Sequence, residues 1–245
     1  MSIRFDNVAD RLIRTSDVIN YNAAYTVMAW IYLVSDLNIV SNFFALSDGT
    51  QQDTDQLGTN ATGTVLRLRT VIANTATNVT GTDLSTGTWH HLTLVRESTT
   101  SLKAYVGGVL DATNTANVST RDAAARIEIA GLLGNTQNYD GRIFAIKAWS
   151  NSLTQAEVQQ EMRTVRPIRL SDLYAYWPCR PGSTERLKDY SGNGRDWTEA
   201  GALADEDHPP ISWGIPIAFD PFVAAAPQPP STGGFMTPMR GIWGP

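Results

Sequence analysis

Between residues 87 and 115 the chain reads GTWHHLTLVRESTTSLKAYVGGVLDATNT. Its apolar and polar positions fall into three short runs, 89–96, 101–106 and 109–112, rich in β-branched and aromatic residues and separated by polar or glycine breaks. That pattern predicts an antiparallel meander. The pair Gly107-Gly108 is suited to the positive φ angles of a two-residue hairpin. Along the first run Trp89, His91, Thr93 and Val95 point one way and His90, Leu92, Leu94 and Arg96 the other, because strand side chains alternate. Both faces carry apolar residues, as does the run 24–34, so these strands are expected to be covered on both sides, with Trp30 and Tyr32 in the core. Strands are also predicted over 38–46 and 64–73. The second places Arg67 and Arg69 on one face, which reads as solvated unless the pair binds a carboxylate or phosphate of a partner. Residues 47–63 read as a long polar loop carrying Asp48, Asp53 and Asp55.

One helix is expected. Thr154 and Glu157 form a capping box in which hydroxyl and carboxylate each satisfy a free N–H of the first turn. Leu153 and Val158 stand at staple positions, and Val158, Met162 and Val165 recur at helical spacing. Arg163 and Arg166 suit the C-terminal dipole, and Pro167 stops the run. Residues 173–177 predict a further strand and 191–194 a tight turn leading into Trp197. Both are expected to return to the sheet and bring the two ends of the domain together.

GTWHHLTLV followed by LKAYVGGVLDAT resembles the central signature of laminin-G-like, concanavalin-A-like jelly rolls. Gly107 stands where that signature usually has Asp or Asn. The opening IRFDN through Asp10 to Ile13, the strand YTVMAWIYLV, and YDGRIFAIKAWSNSLTQAEV resemble further segments of the same family, with Phe144 and Ala145 replacing an acidic pair. LYAYWPCRPGSTERLKDYSGNGRDWTEAG resembles one that often precedes the domain and here follows it. The resemblance covers roughly residues 3–200. It implies an all-β, two-sheet antiparallel jelly-roll sandwich with one short capped helix. The same architecture hosts lectins, hydrolases and adhesion modules, so the resemblance specifies fold more than function.

The 245 residues, 42% of them hydrophobic, suffice for one large sandwich with an extension. Composition shifts near His208: nine of the twelve prolines lie between Pro209 and Pro245. The expected division is a sandwich over 1–207 and a Pro-rich extended docking tail over 208–245. The tail also carries Trp213, Phe219, Phe222, Phe235, Met236, Met239, Ile242 and Trp243, more large apolar groups than solvated linkers usually hold. These residues are the expected contacts to other structural proteins. A net charge of −5 without a basic cluster argues against a nucleic-acid partner. The single cysteine, Cys179, excludes an internal disulfide and reads as a small buried hydrophobe. MSIRFDNVAD lacks a signal-peptide pattern and no 18-residue apolar run occurs, so cytoplasmic synthesis without membrane insertion is expected.

Candidate chemistry is sparse. No strand carries the paired carboxylates of a glycoside hydrolase. Asp205, Glu206 and Asp207 read as a solvated run entering the tail. His90 and His91 face opposite sides of one strand and cannot easily converge on an ion. No G-x-S-x-G elbow appears. The expectation is therefore a chain that is not an enzyme and needs no cofactor. Calcium, which several laminin-G-like domains hold at the rim, is the one metal to consider. Asp48, Asp53, Asp55, Tyr139 and Asp140 are the candidate residues for a glycan or calcium rim, with Tyr139 and Tyr21 as aromatic platforms. The functional expectation is an accessory decoration or fibre-like protein of a phage virion, present in multiple copies, anchored to other capsid proteins by its tail and exposed on the virion surface. The alternatives are a lectin-like module binding cell-surface glycans, cytoplasmic or non-classically exported, and, last, a glycoside hydrolase.

Overall fold

The computed structural model describes residues 1–6, 9–35, 40–133 and 139–209. The docking residues from Trp213 to Trp243 lie outside them. Among the described residues fifteen strands, numbered in chain order, form two antiparallel sheets. The first runs β10 (Val109–Asn114), β9 (Ser101–Val106), β8 (Trp89–Ser98), β3 (Tyr25–Leu33), β12 (Gly141–Trp149), β1 (Ser2–Phe5) and β15 (Ala204–Glu206), with β13 (Leu173–Trp177) beside the other half of β12. The second runs β14 (Thr198–Ala200), β2 (Arg11–Arg14), β11 (Arg126–Ile129), β4 (Ser41–Ser47), β5 (Thr54–Thr59), β6 (Val65–Ile72) and β7 (Thr75–Asp83). Leu12, Leu46, Leu57, Leu68 and Ile127 of the second sheet share one buried cluster with Val27, Ile31, Leu92, Leu94 and Ile143 of the first. Each such side chain contributes on the order of 1.5–3 kcal/mol by leaving water.

The predicted meander is β8, β9 and β10. Gly107 and Gly108 turn the hairpin at φ 57° and 75°. A Cβ on Gly108 would fall 2.8 Å from Gln159 Cγ and Met162 Sδ, so close packing as well as backbone geometry requires glycine there. The neighbour it meets belongs to α1 (Gln155–Glu161) and its C-cap, and Gln159 Nε2 donates to the Gly108 carbonyl at 3.1 Å. The capping box forms as expected: Glu157 N donates to Thr154 Oγ1, and Thr154 N to Glu157 Oε2 at 2.8 Å. Val158 and Leu153 then pack on Met28, Val95, Tyr105 and Trp149, a second buried cluster outside the first sheet. That cluster explains why β8 and β3 are apolar on both faces.

The helix stops at Glu161, a turn short of the expected end, because the carbonyls past it have another donor. Lys147, 2% exposed on β12, points Nζ at the carbonyls of Glu161 (2.8 Å), Thr164 (2.8 Å) and Arg166 (3.3 Å) and at Glu161 Oε2 (2.8 Å). Glu161 Oε1 in turn accepts from the N–H groups of Ile168 and Arg169. The arginines expected in the last turn are not needed as caps. Burial lowers the Lys147 ammonium to about 8 against the opposing pull of Glu161.

Three further expectations are corrected, and one strand is added to them. Residues 47–63 are not one loop, since β5 lies within them. The unpredicted β7, TATNVTGTD, is an edge strand whose only large apolar residue is Val79, so it offers no apolar alternation to read. Trp30 and Tyr32 are half-buried on the outer face of the first sheet, Trp30 against the His91 ring (5.2 Å) and Tyr32 against Trp89 (5.3 Å). Asp205 and Glu206 belong to β15 rather than a solvated run: Glu206 pairs with Arg142 at 2.6 Å, and Asp205 accepts from Gly182 N at 2.6 Å. Cys179 is buried, as read, and burial pushes its thiol up to about 12.

Candidate ligand-binding rim

Three connections meet where β3 begins: the stretch before it (residues 15–24), the turn between β4 and β5 (48–53), and the segment between β10 and β11 (115–125). What holds them together is a carboxylate that the β5 alternation turns inward. Asp55 has no exposed surface. It accepts from Arg96 Nε (3.1 Å) and Nη2 (2.6 Å), from Arg121 Nη1 (2.8 Å) and Nη2 (3.2 Å), from Tyr25 OH (3.0 Å) and from Thr70 Oγ1 (3.1 Å). Burial alone would raise its pKa, but Arg96 and Arg121 override that and hold the carboxyl below the usual range. Arg96 comes from the first sheet, Asp55 from the second and Arg121 from the rim, so one buried cluster ties both layers to the loop above them.

Arg121 also shapes the surface. Its guanidinium lies 4.0 Å over the Tyr21 ring and donates to the Tyr21 carbonyl and to Asn22 Oδ1 (3.1 Å). Asn22 Nδ2 returns a bond to the Asp122 carbonyl at 2.8 Å. Above these bonds lies an open cleft of about 510 Å³ lined by Val18, Asn20, Asn22, Arg121, Ala123 and Ala124.

Beside the cleft the carboxylates of Asp48, Asp53 and Asp122 converge, with one oxygen of each within 4.8 Å of the others. Asp53 is 5% exposed; its Oδ1 accepts from Ala73 N and its Oδ2 from Asp122 N, both at 2.8 Å. Asp48 accepts from Thr50 N (2.8 Å) and Thr50 Oγ1 (2.5 Å). Asp122 is exposed at the surface. Three carboxylates gathered without imidazole or thiolate suit a hard cation, for which calcium's six to eight oxygen ligands are the natural match. Each oxygen engaged by one donor keeps lone-pair capacity for such an ion. Among the described residues this is the one such group of three acidic, imidazole or thiol side chains.

Of the five candidate rim residues, the structure unites only Asp48 and Asp53. Asp55 is consumed by its two arginines. Tyr139 and Asp140 stand at the far end of β3, where Gly141 pairs with Leu33. Tyr139 is 2% exposed and its hydroxyl donates to the carbonyls of Tyr32 and Arg142, so it offers no platform; Tyr21 is fully buried too. Asp140 pairs with Arg4 at 2.6 Å and accepts from Ser35 Oγ. Asp122, Asn20, Asn22 and Arg121 were missed, because nothing local in the sequence links them to Asp53. His90 and His91 do face opposite sides: His90 Nε2 lies 2.9 Å from the Ser85 carbonyl, while His91 is 4% exposed with Nδ1 unpartnered, and burial, aided by Lys147, lowers it to about 3.

The family model of the concanavalin A-like lectin/glucanases superfamily matches residues 7–159. No curated protein sequence matches the chain. Among solved structures, a candidate carbohydrate-binding protein from Bacteroides ovatus ATCC 8483 superposes with a TM-score of 0.63 at 17% identity, covering 86% of this chain and 61% of that one. The chain therefore spans about 61% of that protein's length. The heptameric SAP-like pentraxin of Limulus polyphemus superposes at 0.57 with 14% identity over 83% of this chain and 93% of that one. The receptor-binding domain of a botulinum neurotoxin C/D mosaic serotype gives 0.51 at 14% identity over 65% and 41%. At these identities the likeness is one of fold.

Proposed function

The chain belongs to the concanavalin A-like lectin/glucanases superfamily, and from that premise we propose that it is a non-catalytic module that recognises glycans at the rim cleft. The observation that carries this reading is the juxtaposition of Asn20 and Asn22, held from beneath by the buried Arg121, around an open cleft with three converging carboxylates beside it. Amide side chains donate and accept, as sugar hydroxyls require. Asp48, Asp53 and Asp122 would hold a calcium ion, whose remaining oxygen ligands water or saccharide hydroxyls supply. Catalysis is disfavoured by the same geometry. Hydrolysis needs two accessible carboxyls flanking the bond, yet Asp53 is buried with both oxygens on backbone N–H groups and Asp48 is bound by its own turn.

The reading extends to the carrier of the module. The segment from 210 onward, rich in proline and large apolar residues, suits docking at low entropic cost. In this proposal it anchors many copies of the module to a large symmetric assembly, a phage virion, leaving the sandwich on the outer surface. Removing residues 210–245 is then expected to leave a folded domain that no longer sediments with purified particles.

The rim is tested by glycan-array screening of the full chain with and without calcium, followed by titration of the strongest hit. Asn22→Ala and Asp122→Asn should each weaken binding about tenfold, one to two lost hydrogen bonds or ligands at roughly 1.4 kcal/mol per tenfold. Calcium should raise the unfolding midpoint of the native chain and not that of Asp122→Asn. Binding indifferent to both substitutions would show that the glycan sits elsewhere, and reducing ends released from the hit would overturn the non-catalytic assignment.

A further inference from the structure

The outer face of the second sheet carries a charge arrangement that the rim does not use. Arginines 11, 67, 69 and 126 project from it, since their strand neighbours Leu12, Leu66, Leu68 and Ile127 fill the core on the opposite side. Glu128 on β11 answers two of them, lying 2.5 Å from Arg126 and 3.7 Å from Arg11. Three strands away on β6, Arg67 and Arg69 have no such partner: no carboxylate among the described residues forms an ion pair with either. Arg67 is 6% exposed. Its Nη2 donates only to neutral oxygens, Asn42 Oδ1 at 2.9 Å and Gln56 Oε1 at 3.2 Å. Its Nε and that of Arg69 are buried without an acceptor. Burial and the charge of Arg69 push the Arg67 guanidinium down to about 10.

Two adjacent guanidinium ions shielded from water without a counter-charge are costly, and the cost is removed by an anion that accepts from both. Residues two apart on one strand face stand roughly 6.6 Å apart, a span that one oxyanion bridges when each guanidinium turns an N–H inward. We propose that Arg67 and Arg69 form a subsite for the carboxylate or sulfate group of an acidic saccharide. Arg67 is the floor and the half-buried Arg69 the entrance. Neutral polar groups flank them: Gln56 lies across from Arg69 on β5, and Asn78 and Thr80 lie across from Arg69 and Arg67 on β7. These supply amide and hydroxyl partners for sugar hydroxyls around a charged group. The anion subsite is independent of the rim; that a saccharide carries the anion rests on the glycan-binding reading above.

The test is calorimetric titration of the full chain at low salt with inorganic sulfate, a sulfated disaccharide, an oligogalacturonate and the methyl ester of that oligogalacturonate. The acidic forms should bind about tenfold or more tightly than the ester, sulfate should compete, and Arg67→Gln or Arg69→Gln should each remove about tenfold of the affinity while Lys188→Gln, an exposed cation outside both sites, leaves it unchanged. Comparison of the sulfated and carboxylated ligands decides which oxyanion is preferred. Absence of sulfate and acidic-saccharide binding, or binding indifferent to both arginine substitutions, overturns the proposal. Sulfate binding without saccharide binding overturns its saccharide half. A glycan lost in Asp122→Asn but retained in both arginine variants belongs to the rim and counts against the subsite.

Discussion

Two pairs of arginine meet neighbouring strands of the second sheet, one around Asp55 of β5 and one on β6, and are treated in opposite ways. On the inward side of β5, Asp55 is clasped by Arg96 and Arg121, and every oxygen has donors from at least two residues. On the outward side of β6, Arg67 and Arg69 stand together with neutral oxygens and empty Nε donors. The inner cluster can only hold the sheets and rim in register, because nothing from outside can reach it. The outer one lacks the component that would make it a structural ion cluster, and that shortfall distinguishes a surface prepared for a ligand from one finished by folding.

The contrast can be broken at its strongest point. Asp55→Asn would leave two buried guanidinium ions facing a neutral amide, so urea unfolding should show a loss on the order of 3–5 kcal/mol. A loss below about 1 kcal/mol would mean that water replaces the carboxylate and the cluster is not sealed. Lys147→Met, which strands the Glu161 carboxylate and the carbonyls past the helix end, should cost about 3 kcal/mol by the same reasoning and by the same measurement.

A pH series sharpens the comparison. His91 is neutral when folded down to about pH 3, whereas in the unfolded chain it takes up a proton near pH 6.5. Its folded pKa is depressed, so the unfolded state binds more protons between those values and stability falls as pH drops from about 6.5 towards 3, by up to about 1.4 kcal/mol per unit. His91→Gln should flatten that part of the profile. Asp55, whose carboxyl is held below its ordinary range, adds no slope above about pH 5; below that the unfolded carboxyl begins to protonate while the folded one stays ionised, so its stabilisation is lost progressively as pH falls further. The smallest effect belongs to the outer pair: Arg67→Gln should change stability by less than about 1 kcal/mol in either direction, since it removes a charge with no partner along with two neutral hydrogen bonds. A loss as large as that of Asp55→Asn would place Arg67 among the structural ions.

These outcomes also bear on what the sequence could reveal. The meander, its glycine hairpin, the capping box and the two-faced strands were legible because each depends on residues a few positions apart. Asp55 was not, because it sits in a stretch of Asp, Gln and Thr where polarity hides which side faces the core. Arg67 read as solvated for a related reason: its alternation with Leu66 and Leu68 was visible, but its covering by Asn42 and Gln56 comes from other strands. The rim was half legible. Asp48 and Asp53 share a turn, whereas Asp122 joins them through a bond to Asp53 across 69 residues of sequence. Tyr139 and Asp140 were grouped with them by composition, although β3 separates the two ends.

The pairing of β1 with β15 sets Ser2 opposite Glu206, so the polypeptide passes into and out of the sandwich at one point. A body joined to its surroundings there hangs as a pendant on a single stem. Tension applied across that stem would peel the edge strand β15 from β1 like a zipper, one hydrogen-bonded pair after another, before load reached the central strands. The same adjacency lets residues 2–206 be spliced as a unit into an exposed turn of another protein without stretching either partner, or be rejoined end to end and reopened elsewhere.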